Sequence, residues 1–483
     1  ANIMARIIIT MVVCLLTASN TYAYDCIVDN LCYNVNTDTR VAELTEYTSN
    51  NESNGNYYKK LFPDGSVVVP EKITYKGKKY TVEVISGAFH DWSVLKSVSL
   101  PNTLKSIKGG AFSRTGIRQI DIPRSVTYLS GLNGTKIRTI ELSDNIETIG
   151  VSAFYNCVAL REITIPNSVN TIEDGAFERC SALSRIEIPN SVKDLGKYTF
   201  RDCTALTEVK IGIGVETIGE YTFNNCSLHQ ITIPANVTCI ENHAFDTITL
   251  TDVRIEDSED ELYFDYCGWT STGTIFGNSP LINVYIGRRL SYPNRNNPFM
   301  KNTTLSELEL NGMTTEINEY GYHYCTGLDK VTIGDCVEKI GEYAFNYCSN
   351  MTELTIGKGL KSIGQYAFNQ CESMQDITVL APTPPVCDVY ALYKIDRKNC
   401  KLVVPKGSVQ LYKSAPQWRE FFNISESDAV EDITVDFTNE AYDVYNLQGA
   451  KIANCKTESE LAESLPRGIY ILVSPTCRKK VKL

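Results

Sequence analysis

Apolar residues in the middle of the chain recur with a fixed period, and each copy carries two short apolar patterns. The copy from Leu183 to Cys203 reads LSRIEIPNSVKDLGKYTFRDC. The alternation of Ile186 and Ile188 with polar residues predicts a short strand with one buried face, and Pro189 ends that strand because it has no N–H for a ladder. A second apolar pair follows in each copy, so two strands per copy are predicted.

The period is seen most clearly at Phe154, Phe177, Phe200 and Phe223, which are 23 residues apart. A repeat of this length indicates one structural unit stacked on copies of itself. The chain is therefore predicted to be a mainly β, right-handed solenoid of about thirteen 23-residue coils. The expected interior ladder comprises Phe154, Phe177, Phe200, Phe223, Phe345 and Phe368, with Cys157, Cys180, Cys203, Cys226, Cys325, Cys348 and Cys371 three residues behind the rings or their equivalents.

Seven of the 17 cysteines are these ladder residues. Neighbouring coils lie about 4.8 Å apart, but side chains in the same phase are parallel, which is a poor geometry for disulfides. We therefore expect buried thiols that act as small apolar residues with weak S–H donors. Better disulfide candidates lie outside the regular coils: Cys26 with Cys32, Cys387 with Cys400, and Cys455 with Cys477.

The sequence predicts five successive segments. Residues 1–23 have the layout of a secretory signal peptide, with Arg6, an apolar run and a small residue at Ala23. Residues 24–83 are expected to cap the first coil, 84–380 to form the repeats, 381–425 to close the array, and 431–483 to form a small β-sandwich-like module. No other segment has the length of apolar sequence that a membrane span requires.

The 23-residue period, the Ile-Pro turn and the A-F-x-x-C block together resemble the BspA-like leucine-rich-repeat proteins, which occur on the surfaces of gut and mouth anaerobic bacteria. The resemblance covers roughly residues 84–380 and extends to the closing segment with its "LVVPKG" stretch. It implies an exported, surface-displayed adhesin for host matrix or plasma proteins or for other cells.

The last segment is similar to the C-terminal sorting domain of type IX secretion, on the basis of Val444 to Gly449 and Leu465 to Tyr470. The Pro-Asn-Pro-like opening of that domain is absent. Two interpretations remain: a sorting signal, or a terminal cap on the repeats.

Composition argues against several other classes. The net charge of −11 and the confinement of dense basic residues to the extreme C-terminus disfavour nucleic-acid binding. Only four histidines occur, and no nucleophile, zinc or phosphate-loop motif accompanies them, so neither an enzyme nor a cofactor is predicted. The acidic run Glu256, Asp257, Glu259, Asp260 and Glu261 is either a calcium site or, more in keeping with its charge density, a solvated loop.

Exposed strand positions of the regular coils are mixed charges and hydroxyls, whereas aromatic residues concentrate in the irregular centre. We consider two interpretations of these aromatics: filling of longer coils, or a binding patch. The candidate patch is Tyr263, Tyr266, Trp269, Tyr285 and Tyr292. As an alternative to protein adhesion, such a patch suits a surface carbohydrate-capture protein whose rings stack on sugars.

Overall fold

The computed structural model describes residues 24–48, 52–247, 249–265, 275–276, 279–293, 297–427, 442–445, 451–455, 469–473 and 478–482. The predicted signal peptide, Tyr266, Trp269 and Cys477 lie outside the described residues. The two described α-helices, Asn54–Leu61 and Val409–Ser414, are far too short to cross a bilayer.

The predicted β-solenoid is confirmed, with about 14 turns rather than thirteen. Most turns contribute a strand to a first face and a strand to a second face. First-face strands are Ser66–Val68, Ser97–Ser99, Thr139–Ile140, Glu162–Ile163, Arg185–Glu187, Glu208–Lys210, Gln230–Ile233, Asp252–Ile255, Asn283–Ile286, Glu307–Leu310, Lys330–Ile333, Glu353–Ile356, Asp376–Val379, Lys401–Val404 and Asn423–Glu426. Second-face strands are Lys78–Ser86, Ser106–Lys108, Tyr128–Leu129, Thr148–Ile149, Thr171–Ile172, Asp194–Leu195, Thr217–Ile218, Cys239–Ile240, Leu262–Phe264, Leu290–Ser291, Glu316–Ile317, Lys339–Ile340, Ser362–Ile363 and Val386–Cys387.

Pairing between coils is parallel and in register, so equivalent residues stack. The longest first-face sheet has nine strands, from Gln230–Ile233 to Asn423–Glu426. Within it Val331 pairs with Leu354, which pairs with Ile377, and all three side chains are buried. The alternation read from the sequence thus places one row of each strand in the core and the other on the surface.

The interior ring ladder stacks almost face to face. Phe154, Phe177, Phe200 and Phe223 have ring centroids 5.2, 5.3 and 5.5 Å apart, and none is exposed to solvent. Phe345 and Phe368 stack in the same way at 5.1 Å. The core therefore contains stacked rings from most coils, and Leu132 takes the place of the ring between Phe112 and Phe154.

The backbone around each ring adopts the left-handed conformation at two positions that are seldom glycine. In the Phe154 coil these are Ser152 (φ 51°) and Asn156 (φ 58°), two residues before and after the ring. Their N–H groups donate to the backbone carbonyl oxygens of Asp174 and Glu178 in the next coil, at 3.0 and 2.8 Å. The strain of φ > 0 is thus offset by hydrogen bonds between coils.

All seven ladder cysteines are buried, and all are free thiols. Each sulfur donates to a backbone carbonyl of the preceding coil; Cys180, for example, donates to the oxygen of Phe154 at 3.2 Å and Cys348 to that of Tyr322 at 3.2 Å. Burial raises the pKa of Cys203 and Cys371 to about 12. The thiols therefore serve as small core residues with one weak hydrogen bond each.

Two disulfide expectations outside the coils are wrong, because Cys26, Cys32, Cys387 and Cys400 are free thiols. Cys26 pairs across the hairpin with Tyr33, so the adjacent Cys32 points to the opposite face of that hairpin. Cys387 ends a second-face strand, whereas Cys400 directly precedes a first-face strand. Neither pair has side chains on a common face. The proposed partner of Cys455 lies outside the described residues.

The N-terminal segment packs over the first ring of the array. Strands Cys26–Val28, Leu31–Asn36 and Val41–Thr45 form antiparallel hairpins that join Lys78–Ser86, which also pairs with Lys72–Tyr75. Helix Asn54–Leu61 places Tyr58 against Phe89 and Trp92, with ring centroids 5.3 and 5.6 Å apart. Gly55 permits this approach, because a β-carbon there would collide with the Asp91 carbonyl.

The last coils are closed by helix Val409–Ser414 and the 3₁₀ turn Trp418–Glu420. Trp418 is fully buried and donates its indole N–H to the Pro385 carbonyl at 2.8 Å, and Tyr412 donates its hydroxyl to Ala381 at 2.7 Å. Beyond them, four antiparallel strands form a small sheet in the order Lys451–Cys455, Tyr442–Tyr445, Ile469–Val473, Arg478–Lys482. The basic C-terminal stretch is thus an edge strand, a position that charged residues protect from further pairing.

Candidate functional site

The described aromatics of the candidate patch lie in three different environments. Tyr285 projects from the first face, where it pairs in register with Arg254 and Glu309. Tyr263 belongs to the second face and is 40% exposed, while Tyr292 is largely buried against the core. These three side chains therefore do not form one surface. Tyr266 and Trp269 lie outside the described residues.

Tyr285 is held in place from two directions. The Arg254 guanidinium lies over its ring, 3.9 Å from the centroid, and its hydroxyl donates to Asp257 Oδ1 at 2.6 Å. Burial and the neighbouring Asp257 carboxylate raise the pKa of Tyr285 to about 12. The phenol is therefore a neutral, oriented donor at physiological pH.

Two glycines make room for the Asp257 carboxylate. A β-carbon on Gly287 would collide with Asp257 Oδ1 and with the Asp257 backbone, and one on Gly312 would lie 2.6 Å from the same oxygen. Gly312 also has a φ of 57°, which strains other residues. The local sequence therefore permits the close approach that orients Tyr285.

A shallow depression of about 430 Å³ surrounds Tyr285 on the first face. Its polar lining carries charges of both signs, with Asp252, Glu307 and Lys330 in one row. Asn283 bridges part of this row by donating to Asp252 Oδ1 at 2.7 Å. Tyrosine and arginine above a mixed-charge rim are the residue types that anchor protein–protein contacts.

The acidic run does not converge on one point. Asp257 binds Tyr285, Glu256 accepts a hydrogen bond from the Ala235 N–H at 3.1 Å, and Glu261 lies 3.6 Å from Arg289. Across the described ranges, no three His, Cys, Asp or Glu side chains are grouped as a metal site requires. The run therefore serves contacts within the protein.

Arg288 is a buried charge that the sequence did not reveal. It is fully buried and donates to the carbonyls of Ala235 and Pro234 at 2.7 and 2.9 Å. Burial lowers its pKa, and Asp260 and Glu256 partly oppose that effect. Arg288 thereby ties the irregular central coil to an earlier turn. No local pattern marks it, because its partners are backbone oxygens more than 50 residues away.

His323 and Cys325, the pair closest to a nucleophilic dyad, do not interact as one. The Cys325 thiol points inward and donates to the Phe299 carbonyl at 3.1 Å, and burial raises its pKa to about 12. His323 instead contacts the rings of Tyr320 and Tyr324. A thiol that is protonated at neutral pH is not a nucleophile.

Sequence reasoning also missed an aromatic surface in the C-terminal half of the array. Tyr320, Tyr343, Tyr366 and Tyr390 each stand two residues before an interior ring or its equivalent, and they stack on one another. Their spacing of 23, 23 and 24 residues was available as a signal. This signal is weak in the linear sequence, because the four tyrosines are far apart in it, whereas the aromatics of the irregular centre are dense.

The repeats of this chain match a known protein-family model. A family model described as "BspA type Leucine rich repeat region" matches in 6 copies over residues 71–132, 130–251 and 275–390, which is more than half of the chain. A search of curated proteins finds no match.

Several solved structures are similar. A leucine-rich repeat protein from Bacteroides ovatus shares 20% identity, with 84% of this chain and 100% of that chain covered and a TM-score of 0.46. A leucine rich cell surface protein from Faecalibacterium prausnitzii shares 21% identity over 86% and 97% of the two chains, with a TM-score of 0.38. The pneumococcal vaccine antigen PcpA shares 18% over 84% and 98%, with a TM-score of 0.38.

Proposed function

The chain belongs to the BspA-type leucine-rich-repeat family, and we propose that it is an exported, surface-displayed binding protein that acts as an adhesin for extracellular proteins. The single observation that carries this proposal is the fixed Tyr285 on the exposed first face, held by Arg254 and Asp257. Host matrix proteins, plasma proteins and the surfaces of other cells are the proposed partners.

The geometry of Tyr285 suits binding because its ring is oriented before a partner arrives. A half-buried tyrosine that already has its ring stacked and its hydroxyl bonded loses little conformational entropy on association. Charges of both signs lie beside it, in the row formed by Asp252, Glu307 and Lys330. Such charges determine how a partner is aligned and which partner binds, more than how tightly it binds. A non-enzymatic role is supported by the buried, protonated ladder thiols.

Carbohydrate capture has less support. Stacking on a sugar requires open ring faces on a common surface, yet Tyr263 and Tyr285 lie on different faces of the solenoid. One face of Tyr285 is also covered by Arg254.

The organisation of the chain completes the proposal. Residues 1–23 act as a signal peptide, 24–83 cap the repeats of 84–380, 381–425 close them, and 431–483 form a module that directs the protein to the cell surface. The contacts of Tyr58 at one end and Trp418 at the other support the two capping roles.

The test compares binding of the wild-type protein and two tyrosine variants to immobilised fibronectin and fibrinogen and to a glycan array. We expect Tyr285→Ala to lose protein binding at least tenfold, because it removes the anchor and frees Arg254. Tyr263→Ala is the matched control, since it removes an exposed strand tyrosine from the other face, and it should bind as wild type.

The proposal is contradicted if both variants lose binding equally, or if the wild-type protein binds neither fibronectin nor fibrinogen. Selective capture of a glycan that depends on Tyr285 would instead favour the carbohydrate alternative. Circular dichroism and the melting temperature of both variants show whether the fold is retained.

A further inference from the structure

One edge of the C-terminal coils carries a column of stacked tyrosines, here called the first column: Tyr320, Tyr343, Tyr366 and Tyr390. Successive ring centroids are 4.9, 5.2 and 5.3 Å apart, with interplanar angles between 7° and 24°. Because neighbouring rings cover each other's faces, the column presents ring edges and hydroxyl groups to solvent. The last ring, Tyr390, is 50% exposed.

A second column runs parallel to it, four residues further along each coil: Lys301, Tyr324, Tyr347, Gln370 and Lys394. All five residues have left-handed backbones, with φ of 61°, 58°, 62°, 63° and 71°. Tyr324 and Tyr347 stack at 4.5 Å and are 40% and 37% exposed. The second column is therefore an aromatic ridge with a lysine at each end.

The surface between the two columns is recessed. Asn346 and Asn369 occupy the intervening position and are only 4% and 9% exposed. They are joined by a hydrogen bond from Asn369 Nδ2 to Asn346 Oδ1 at 2.9 Å. In the preceding coil the His323 ring lies 5.5 Å from Tyr320 and 4.4 Å from Tyr324, so it spans the gap. Two aromatic ridges thus flank a polar floor.

Folding does not require tyrosine at these positions. The equivalent position is Gly110, Ser152 and Gly175 in three earlier coils and Tyr198, Tyr221 and His243 in three others, all in the same left-handed conformation. Glycine adopts this conformation without strain, whereas a bulky residue does not. Strained residues that the backbone does not demand are concentrated at binding surfaces.

We propose that the recess between the two columns binds a proline-rich segment in the polyproline II conformation. Such segments dock between aromatic ridges in several recognition domains, and their unpaired carbonyls accept hydrogen bonds from hydroxyl donors. One turn of this helix rises roughly 9.3 Å, which is within about 1 Å of two steps of the first column, 4.9 and 5.2 Å. A sugar ligand is disfavoured, because the stacked rings have no open faces.

The lysines at the two ends of the second column indicate which residues the ligand carries at its own ends. Lys301 and Lys394 are four coils apart, which at roughly 4.8 Å per coil corresponds to about six residues of a polyproline II helix. Within the described part of the chain no carboxylate pairs with either lysine, and Lys394 lies over the Tyr393 ring at 5.7 Å. Glu319 and Glu342 directly precede first-column tyrosines in the sequence, and their charges act on Lys339 of the second face. The pKa of Lys339 is raised mainly by its hydrogen bond to Glu316 and, to a smaller extent, by these two carboxylates. The ligand that fits has an acidic residue at each end of its proline segment.

The test measures fluorescence anisotropy of the full chain with a labelled hexaproline peptide that carries one glutamate at each end. We expect this peptide to bind saturably. The same peptide with arginine ends, and a glycine-serine peptide with glutamate ends, should each bind at least tenfold more weakly. Lys301→Ala combined with Lys394→Ala should abolish the preference for glutamate ends.

Tyr347→Ala should weaken binding at least tenfold, and Tyr347→Phe should retain most of it because the ridge persists. Tyr221→Ala is the matched control: Tyr221 has the same left-handed backbone and stacks on Tyr198, but the residue four positions later is Asn225 rather than an aromatic ring. The Tyr221→Ala variant should bind the glutamate-ended peptide as the wild-type protein does. Absence of saturation, equal weakening by Tyr221→Ala, or stronger binding of the arginine-ended peptide overturns the proposal.

Discussion

The thiol of Cys203 donates a hydrogen bond to the carbonyl oxygen of Phe177, one coil earlier, at 3.2 Å. The same bond recurs from Cys226 to Phe200 and from Cys371 to Phe345. It connects the two ladders of the core, because the residue that supplies the ring also supplies the acceptor. A side-chain ladder thus reinforces the backbone bonds between coils.

The ladder thiols should resist alkylation in the folded protein. Cys157, Cys180, Cys203 and Cys226 are buried, and burial raises their pKa, so almost no thiolate is present at pH 8. Iodoacetamide followed by peptide mass spectrometry should label these four sites only after denaturation. Exposed Cys336 is the internal control and should react in both states. Quantitative oxidation of the four thiols would falsify their assignment as ladder residues.

Stability should fall at alkaline pH. Burial raises the pKa of Cys203 from 9.0 to about 12, so the unfolded chain releases this proton at a lower pH than the folded chain does. The full contribution is therefore present below pH 9 and is lost as pH rises from about 9 to 12, at about 1.4 kcal/mol per pH unit for one thiol. Urea denaturation at pH 8, 9 and 10 measures this slope.

Cys203→Ala supplies the matched comparison for that slope. Below pH 9 the variant has a lower free energy of unfolding, because it leaves a small cavity. Its loss between pH 9 and 10 should nevertheless be smaller than that of the wild type by about 1 kcal/mol, because the unfolded thiol, with a pKa of 9.0, is only half ionised at pH 9. Identical slopes for the two proteins would show that this thiol does not titrate with unfolding.

Phe200→Ala should destabilise the coils around it. The ring is fully buried between Phe177 and Phe223, and its removal should cost about 3–5 kcal/mol. Because each coil contacts only its neighbours, hydrogen exchange should accelerate near residues 177–223 and remain slow near Phe368. Tyr198→Ala, two residues away on the surface, is the control and should change exchange little. A uniform increase along the array would be incompatible with nearest-neighbour coupling.

Removal of the C-terminal module should distinguish a sorting role of that module from a capping role. A variant ending at Ser427 keeps the last inter-coil bond, from the Ser427 N–H to the Val404 carbonyl at 2.8 Å, together with buried Trp418. We expect its repeats to fold with an unchanged melting temperature while the protein accumulates in the periplasm. Fusion of residues 428–483 to a periplasmic reporter should carry the reporter to the cell surface.

Two results would oppose the sorting role. If the truncated protein still reaches the surface, the tail is not the export signal. If hydrogen exchange instead rises around Phe368 on truncation, the tail acts as a cap on the last coils.

Much of the core could be predicted from spacing alone. The 23-residue period is a direct consequence of stacking, since residues such as Phe177 and Phe200 must recur in phase to fill one column. Spacing does not predict the left-handed positions, because Ser152 and Asn156 are not glycines and their conformation depends on hydrogen bonds to the next coil. The free state of Cys26 and Cys32 likewise follows from the hairpin register, which a linear sequence does not display.

Local periodicity is enough to predict the repeat, the burial of Phe200 and Cys203, and the family. The surface that each tyrosine occupies depends on how the coils stack. Tyr263 and Tyr285 are 22 residues apart but lie on different faces, because they occupy different strands of their coils. Tyr343 and Tyr366 are 23 residues apart, occupy equivalent positions and stack at 5.2 Å. In a solenoid, lateral neighbours are separated by one full coil, so a surface is built from residues that are distant in the chain.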